Sequence, residues 1–318
     1  MRAGILGKGG SGKTTISAGF AYYAAKRLAN MQNVLVIDAD QNVNLAPTLG
    51  LSTPTDLATH TDAIKSYVKG GRDDVSVSHM IGTTPPRAQS QFIRVSDSDS
   101  FLQTYAVFKD NLILLQAGSY SCSDVGHTCY HTILEPVELV YHHLLDTQSD
   151  LVICDSTAGL DSLGNSLYMV HDYIYFIVEP THKSVTVFKQ FQEIAKAQNI
   201  RVRYVANKVA SPEDILFIES HLGKQTETIV FSHSAHIKAL EQGKADALSD
   251  FVAEQEASFA KLFDHIFAQK KDWSRYYQFL CKAHKTIAES WYDEYFQTPI
   301  SKQSAQHFSY ENVMETNK

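Results

Sequence analysis

The sequence predicts an α/β fold, with helices on both faces of a mostly parallel central sheet and a helical extension at the C-terminus. Short apolar runs alternate with stretches of helical spacing up to residue 250, and a glycine-rich loop joins the first run to the first helix. Such alternation is typical of parallel strands joined by crossover helices. Since these sheets bind ligands at the carboxyl ends of their strands, the polar residues after each apolar run are the candidates for function.

The apolar runs indicate the strands, because a strand buried on both faces reads as an unbroken stretch of apolar residues. After a first strand at Ile5 and Leu6, strands are predicted at Val34–Ile37, Leu112–Leu115, Leu151–Cys154, Tyr173–Val178, Arg201–Ala206 and Thr228–Phe231. Helices are predicted at Ile16–Ala29, Asp62–Lys69, Ser100–Val107, Glu138–Leu145 and Val185–Ala197. Residues 1–250 are therefore predicted to form one α/β domain.

The sequence changes character after residue 250. Apolar side chains at positions 259, 262, 263, 266 and 267 form a helical stripe, and aromatic residues recur at helical spacing from Trp273 to Trp291. We expect a helical extension over residues 251–297 and a polar, aperiodic, disordered tail over residues 298–318. The extension either covers one side of the domain or binds a partner, and the sequence leaves both interpretations open.

Composition and charge narrow the class of protein. The chain has 318 residues, is 44% hydrophobic and carries a net charge of −7, so no overall field favours nucleic acid or an anionic membrane. Its four cysteines show no disulfide spacing, and no apolar run is long enough to span a bilayer. The first strand starts almost at Met1, which leaves no room for a signal peptide. These features predict a cytoplasmic protein.

Residues 7–15, Gly-Lys-Gly-Gly-Ser-Gly-Lys-Thr-Thr, fit the phosphate-loop pattern of a Gly, four residues and Gly-Lys-Ser/Thr. The glycines turn backbone N–H groups toward one point, and the helix N-terminus adds partial positive charge there. Lys13 then reaches the β- and γ-phosphates while the Thr14 hydroxyl binds Mg²⁺. The predicted nucleotide-binding residues of the loop are Gly9, Gly10, Ser11, Gly12, Lys13, Thr14 and Thr15. The chain is therefore predicted to bind a nucleoside triphosphate with Mg²⁺.

Polar residues follow three of the predicted strands. Asp38 and Asp40 close the second strand, Asp155 closes the strand at residues 151–154, and Asn207 closes the strand at residues 201–206. A single acid at a strand end carries little information. Three such ends behind a phosphate loop predict a nucleotide site that continues across the edge of the sheet.

The additional lysine of the loop, Lys8, indicates a particular superfamily. The segment Lys-Gly-Gly-Ser-Gly-Lys-Thr resembles the deviant Walker A motif of the MinD/ParA/nitrogenase-iron-protein ATPases, which are P-loop NTPases of the SIMIBI type. The resemblance implies ATP binding and hydrolysis, a homodimer formed on ATP binding, and a Lys8 that contacts the phosphates held by the other subunit. The alternative is that Lys8 is a solvated loop lysine.

Within that superfamily the chain looks most like the CooC-type ATPases, which help insert nickel into carbon monoxide dehydrogenase. Residues 38–45 are similar to their first switch, and residues 155–161 to their second. The resemblance implies that Asp40 orients the attacking water and that Asp38 supports the metal shell. It further implies that Asp155 acts on Mg²⁺ through bound water, that Gly159 reports the γ-phosphate, and that Asn207 reads adenine.

The chain departs from the CooC pattern at three places. Gln41 stands where the family has Pro, Thr157 replaces the Glu of the second switch, and Cys129-Tyr130-His131 replaces a Cys-x-Cys. Because Cys and His both bind tetrahedral metals, Cys129 and His131 from two subunits could hold Zn²⁺ or Ni²⁺ at the dimer interface. Cys122 and His127 are alternative ligands. A buried cysteine beside a surface histidine is the other interpretation.

Two functions remain open on the sequence alone. The leading hypothesis is an ATP-dependent dimerising switch that acts on a client protein or metalloenzyme during maturation or metal insertion. The alternative is a ParA/MinD-type partitioning or positioning ATPase that binds DNA or a membrane. Its cationic candidates, Lys183, Lys189, Lys196, Arg201 and Arg203, are scattered in the sequence, and residues 251–318 lack the basic character of a membrane-surface helix.

Overall fold

The central feature of the fold is a sheet of parallel strands. The computed structural model describes residues 1–29, 31–120, 130–244, 246–304 and 308–316, apart from the side chain of residue 131. The strands of the described chain are β1 (Arg2–Gly7), β2 (Val34–Ala39), β3 (Ile93–Arg94), β4 (Val107–Lys109), β5 (Leu112–Gln116), β6 (Leu144–Leu145), β7 (Leu151–Ser156), β8 (Tyr173–Val178), β9 (Val202–Val209) and β10 (Val230–Ser232).

Eight of these strands form the main sheet in the order β10-β9-β8-β1-β7-β2-β5-β4. Every neighbouring pair is parallel except β4 with β5 at one edge. β3 and β6 form a separate parallel pair. Because β1, β2, β7, β8 and β9 run in one direction, their carboxyl ends lie along one edge of the sheet. The predicted mostly parallel sheet is confirmed.

Helices cover both faces of the sheet. Those of the described chain are α1 (Lys13–Arg27), α2 (Leu45–Leu49), α3 (Thr61–Lys69), α4 (Ser100–Tyr105), α5 (Tyr130–His142), α6 (Leu167–Val170), α7 (His182–Ala197), α8 (Pro212–Leu222), α9 (His236–Glu241), α10 (Ala247–Glu254), α11 (Glu256–Phe267), α12 (Trp273–Ile287), α13 (Asp293–Tyr295) and α14 (Tyr310–Thr316). The interior strands are buried on both faces, which explains their unbroken apolar runs. None of the described helices is long and apolar enough to cross a bilayer.

One face of the sheet packs against α1, α10 and α11. Ile5 and Ile153 of the strands share a buried cluster with Ile16 of α1 and Phe259 of α11. Gly19 permits the close approach of α11 to α1, since a Cβ there would lie 2.4 Å from the Phe259 ring. Residues 251–267 therefore share the core of the α/β domain.

The opposite face packs against α5 and α7. Val152 and Cys154 of β7 contact the cluster around α5, to which the segment between residues 57 and 102 also contributes. Phe176 of β8 packs with Phe188 and Phe191 of α7. The polar segment of residues 52–110, whose composition assigns it no role, thus covers α5 and extends this side of the core.

The expectation of a disordered tail after residue 297 differs from the structure. Residues 300–302 form a 3-10 turn and α14 packs against α12. The side chain of Tyr310 is fully buried, stacks on Trp273 with ring centroids 4.3 Å apart, and donates a hydrogen bond to the carbonyl of His142 at 2.7 Å. The order of the tail was not predicted because its sequence is polar and aperiodic. A few aromatic side chains, such as Tyr310, pack it against the rest of the protein.

Candidate nucleotide site

The phosphate loop lies between β1 and α1, at the carboxyl edge of the sheet. Gly10 and Gly12 have φ angles of +78° and +95°, a region that favours glycine. α1 begins at Lys13 with no side-chain cap and no acidic residue in its first turn. Its first N–H groups therefore remain available to an anion, and the helix dipole favours negative charge at the same point.

Lys13 is buried in the loop beside Asp40. Its Nζ lies 3.6 Å from Asp40 Oδ2, and the Lys13 side chain is 6% exposed. Asp40 Oδ1 also accepts hydrogen bonds from the backbone N–H and the side-chain amide of Asn42, each at 3.0 Å. A buried charge is stabilised by an opposite charge paired with it. A bound phosphate would replace Asp40 as the counter-ion of Lys13.

Asp38 and Asp155 are paired residues on neighbouring strands β2 and β7. Asp155 accepts hydrogen bonds from Thr14 Oγ1 at 2.6 Å and from Ser17 Oγ at 3.0 Å. Asp38 accepts from the N–H groups of Leu45 and Asp40, at 2.9 and 3.2 Å. Burial, and then the neighbouring carboxylate, raise the pKa of Asp38; burial is also the largest cause of the raised pKa of Asp155. Two buried carboxylates that repel each other favour a bound cation.

The residues at this edge fit Mg²⁺ held jointly with a nucleotide. Within the described residues no group of three or more His, Cys, Asp or Glu side chains is arranged to hold a metal by itself. Mg²⁺ commonly takes one or two protein oxygens and completes its shell with phosphates and water. The Thr14 hydroxyl would bind the ion directly, and the Asp155 carboxylate, which accepts a hydrogen bond from Thr14, would act on it through bound water.

The end of β9 closes over the phosphate loop. Asn207 donates from its side-chain amide to the carbonyl of Ser11 at 2.8 Å, and Lys208 donates to the carbonyl of Gly10 at 2.6 Å. Lys208 also contacts Glu179 at 2.7 Å and has a φ of +58°. Asn207 therefore braces the loop in this conformation, and base recognition by Asn207 stays a prediction. The contribution of Lys208 and Glu179 was missed, although Lys208 directly follows Asn207 in the sequence.

Lys8 and Gly159 are half-buried at the outer side of the loop, whereas Thr157 is buried. Lys8 Nζ hydrogen-bonds to the carbonyl of Gly9 at 3.0 Å, and no carboxylate of the described residues lies within 4 Å of it. Gly159, with a φ of +65°, starts a 3-10 turn directly after Ala158, and Ala158 lies 3.9 Å from where a Cβ of Gly9 would stand. The hydroxyl of Thr157 is buried without a hydrogen-bond partner in the described chain.

The predicted transition-metal ligands fall outside what the structure describes. Cys129, Cys122 and His127 lie within residues 121–129, and only the backbone of His131, in α5, is described. A Zn²⁺ or Ni²⁺ site made by Cys129 and His131 at a dimer interface therefore stays a prediction.

The phosphate loop and most of the strand ends lie within a segment that matches a known protein family. Residues 5–242 match the family described as the CobQ/CobB/MinD/ParA nucleotide binding domain. The chain belongs to this family. The predicted superfamily is confirmed, and with it the assignment of the chain as an ATPase.

Individual proteins of the CobQ/CobB/MinD/ParA family are similar over most of the chain. An uncharacterised ATP-binding protein of Methanocaldococcus jannaschii is 29% identical over 221 residues, 69% of this chain and 83% of that protein. The carbon monoxide dehydrogenase accessory protein CooC of Rhodospirillum rubrum is 27% identical over 220 residues, 69% of this chain and 78% of its own length.

Solved structures show the same fold. The septum site-determining protein MinD of Pyrococcus horikoshii, complexed with Mg-ADP, has a TM-score of 0.55 at 15% identity and covers 84% of this chain and 96% of that one. A ParA family ATPase of Chlorobium tepidum has a TM-score of 0.54 at 17% identity and covers 80% and 96% of the two chains. At these identities the likeness concerns the fold alone.

Proposed function

We propose that the chain is an ATP-dependent dimerising switch, and that its ATPase cycle serves as a maturation or metal-insertion step for a client metalloenzyme. The observation that carries the dimer is Lys8. Its ammonium group lies at the exposed side of the loop and has no carboxylate partner in the described chain. A cation held there is available to phosphates that a second subunit presents across a two-fold axis.

Each buried group at the carboxyl edge has a defined part in this proposal. Lys13 and the N-terminus of α1 bind the phosphates, while Thr14 binds Mg²⁺ directly and Asp155 acts on it through bound water. When bound, Mg²⁺ neutralises charge on the phosphates. Asp40, which Asn42 orients, accepts a hydrogen bond from the attacking water and positions it. Asp38 remains behind this pair and holds the start of α2 through the N–H of Leu45.

The CooC relative supports the maturation role. The likeness extends over 69% of this chain, and Cys129 with His131 supplies ligand types that bind Zn²⁺ or Ni²⁺. The C-terminal helices also favour a protein partner over a membrane. Trp291 and Tyr295 are 75% and 78% exposed, and the acidic Glu289 and Glu294 lie beside them. Exposed aromatics are frequent anchors of protein interfaces, whereas acidic residues repel anionic lipid.

The dimer is tested by substituting the two lysines of the loop separately. Lys13→Ala should abolish ATP binding, whereas Lys8→Ala should bind ATP with nearly the wild-type affinity and remain monomeric. Binding is measured by calorimetry and mass by light scattering, each with Mg-ATP and Mg-ADP. Lys26→Ala, which removes a lysine from the end of α1, is the matched control and should dimerise normally. A Lys8→Ala protein that dimerises with ATP as the wild type does would refute the proposal.

The metal part is tested separately on the ATP-bound dimer. Elemental analysis after incubation with Zn²⁺ or Ni²⁺ should find one metal ion per dimer in the wild type and none in Cys129→Ala. The Cys281→Ala protein removes a cysteine distant in sequence and should keep the metal. Equal metal content in all three proteins would contradict the interface site and leave the ATP-driven dimer untouched.

A further inference from the structure

A second cavity lies at the amino-terminal edge of the sheet, away from the phosphate loop. Its lining comes from the segments that precede β8 and β9 and from the first turns of α12. It opens to solvent and has a volume of about 30 Å³, which is room for one small polar group of a ligand. Arg2 lines this cavity and Gly7 belongs to the phosphate loop, so the length of β1, roughly 17 Å, separates the two sites.

Two arginines at this cavity lack an acidic partner. Arg201 donates to the carbonyl of Lys270 at 3.3 Å, and Arg275 donates to the carbonyl of Asn199. Within the described chain neither guanidinium lies within 4 Å of a carboxylate. Burial is the largest cause of the lowered pKa of Arg275, and the charge of Arg201, which lines the same cavity, lowers it further. Guanidinium groups fixed by carbonyls in this way keep N–H donors for a planar or tetrahedral oxyanion.

The acids near the cavity are already occupied. Asp172 accepts from the N–H of Arg2 at 2.8 Å and contacts Lys271 at 3.0 Å. Asp272 caps α12 by accepting from the N–H of Arg275 at 2.9 Å. Asp172 and Asp272 reduce the positive field at the cavity. Each accepts from donors other than the guanidinium groups of Arg201 and Arg275, so those groups keep N–H donors for an anion.

The buried lining contains donors that nothing in the described chain satisfies. Arg2 is 1% exposed; its Nε contacts Asp146 and its Nη2 donates to Leu144, yet its Nη1 makes no hydrogen bond. Both ring nitrogens of His171, which is 9% exposed, are also without a partner. Burial lowers the pKa of His171 to about 3, so the ring is neutral at pH 7 and has one N–H to donate. These nitrogens are closed off from solvent, so they lie behind the accessible lining of the cavity and do not contact a ligand there.

We propose that this cavity binds one oxyanion group, a phosphate or a carboxylate of a small molecule, between Arg201 and Arg275. Arg201 and Arg275 supply the hydrogen bonds and the charge for the oxyanion. Trp273 and Phe279 line the same cavity, so an apolar part of the ligand has aromatic surface to pack on. The site goes beyond the proposed nucleotide switch and needs none of its residues.

The test is calorimetry on the full chain with inorganic phosphate and with citrate as probes. Saturating Mg-ADP fills the phosphate loop, so the measured heat comes from other sites. Arg275→Gln and Arg201→Gln should each weaken binding at least about tenfold, because each removes a charge-assisted pair. Arg203→Gln is the matched control: Arg203 lies two residues from Arg201, bonds to Gln225 at 3.0 Å and does not line the cavity. It should bind within about twofold of wild type.

Each outcome decides the proposal. Tighter binding of phosphate than citrate identifies a phosphate ester, and the reverse identifies a carboxylate. Absence of binding for both probes at millimolar concentration overturns the site. The site is also overturned if Arg203→Gln and Arg275→Gln lose equal affinity for the probes. It is overturned as well if the protein binds duplex DNA and both substitutions weaken that binding equally, because the arginines would then belong to a general basic surface. Circular dichroism checks that each variant is folded. If Arg275→Gln does not fold, Arg201→Gln provides the test.

Discussion

At the scale of single residues, Gly12 determines the shape of the phosphate loop. Its φ of +95° is strained for any other residue, and a Cβ there would stand 2.4 Å from the side-chain nitrogen of Asn207. Asn207 in turn holds the carbonyl of Ser11. The loop is thus bound on its inner side by β9, and a change at Gly12 disturbs both the loop and its brace.

Gly12→Ala should lower ATP affinity by at least about 100-fold, because strain and the clash with Asn207 together shift the loop by more than its hydrogen bonds tolerate. The measurement is calorimetric titration with Mg-ATP. Gly223→Ala is the matched control, since Gly223 also has a positive φ of +82° but open space around it. It should lose about 1 kcal/mol of stability and bind ATP normally. Equal affinities for both variants would show that the loop does not depend on Gly12.

Buried histidines predict how stability changes with pH. Burial lowers the pKa of His143 to about 3, so the folded state keeps the ring neutral while the unfolded chain protonates it below about pH 6.5. The contribution of His143 is therefore fully present above pH 6.5 and decreases as the pH falls toward 3. At pH 5 we expect a loss of about 2 kcal/mol from this group. His143→Gln should remove it, as measured by urea unfolding at pH 7.5 and pH 5.

The control for that prediction is Phe92→Leu. Phe92 packs on the ring of His143 with centroids 6.1 Å apart, and it does not titrate. Its substitution should lower stability by the same amount at both pH values. If His143→Gln loses stability between pH 7.5 and pH 5 as steeply as the wild type, His143 is not a source of the acid sensitivity.

At the scale of elements, the C-terminal helices attach to the α/β domain through aromatic and charged contacts. Trp273 stacks on Tyr310, and the Arg2 guanidinium lies 5.1 Å from the Trp273 ring centroid. Lys271, just before α12, bonds to Asp146 and Asp172. The first residues of β1, the end of α5 and the C-terminal helices therefore form one packed unit.

Tyr310→Ala should destabilise the protein by about 3–5 kcal/mol, the range for a buried aromatic truncation, because its ring fills the space between α12 and α5. Tyr310→Phe should cost about 1 kcal/mol, since it loses only the bond to the His142 carbonyl. Denaturant unfolding measures both. Tyr295→Ala, at a 78% exposed tyrosine, should be neutral. A Tyr310→Ala protein as stable as the wild type would show that α14 does not pack in solution.

At the scale of the whole molecule, the proposed function makes Asp40 the residue that connects hydrolysis to dimer lifetime. Its carboxylate lies beside Lys13 and is oriented by Asn42, and in the proposed mechanism it positions the attacking water without binding the phosphates itself. Once hydrolysis is blocked, the ATP-bound dimer no longer converts to the ADP state, so it separates only after ATP itself dissociates.

Asp40→Ala should therefore bind ATP, hydrolyse it at least about 100-fold more slowly, and remain a dimer for as long as ATP is present. Phosphate release and light scattering measure the two effects. EDTA should prevent ATP-driven association in the wild type and in the variant, because the phosphates then lack Mg²⁺. Asp97→Ala, at an exposed acid, is the control. Normal hydrolysis by Asp40→Ala would remove Asp40 from the mechanism.

The local patterns of the sequence were sufficient for most of the sheet and for the residues that the structure brings together at its carboxyl edge. A phosphate loop is defined by consecutive residues, and buried parallel strands by unbroken apolar runs, so both can be read without knowledge of distant contacts. The acids Asp38, Asp40 and Asp155 were found for the same reason: each directly follows or ends a strand. Helix boundaries were less accurate, as in α5, because packing decides where such a helix ends.

Contacts between residues far apart in the chain became known only from the tertiary structure. Lys208 reaches the carbonyl of Gly10 from 198 residues away, and Arg275 meets the carbonyl of Asn199 across 76 residues. One of the scattered cations of the sequence, Arg201, thereby shares a cavity with Arg275, and the polar tail contains a buried tyrosine. Periodicity reports which face of a segment is buried, but the partner of that face depends on how the elements pack.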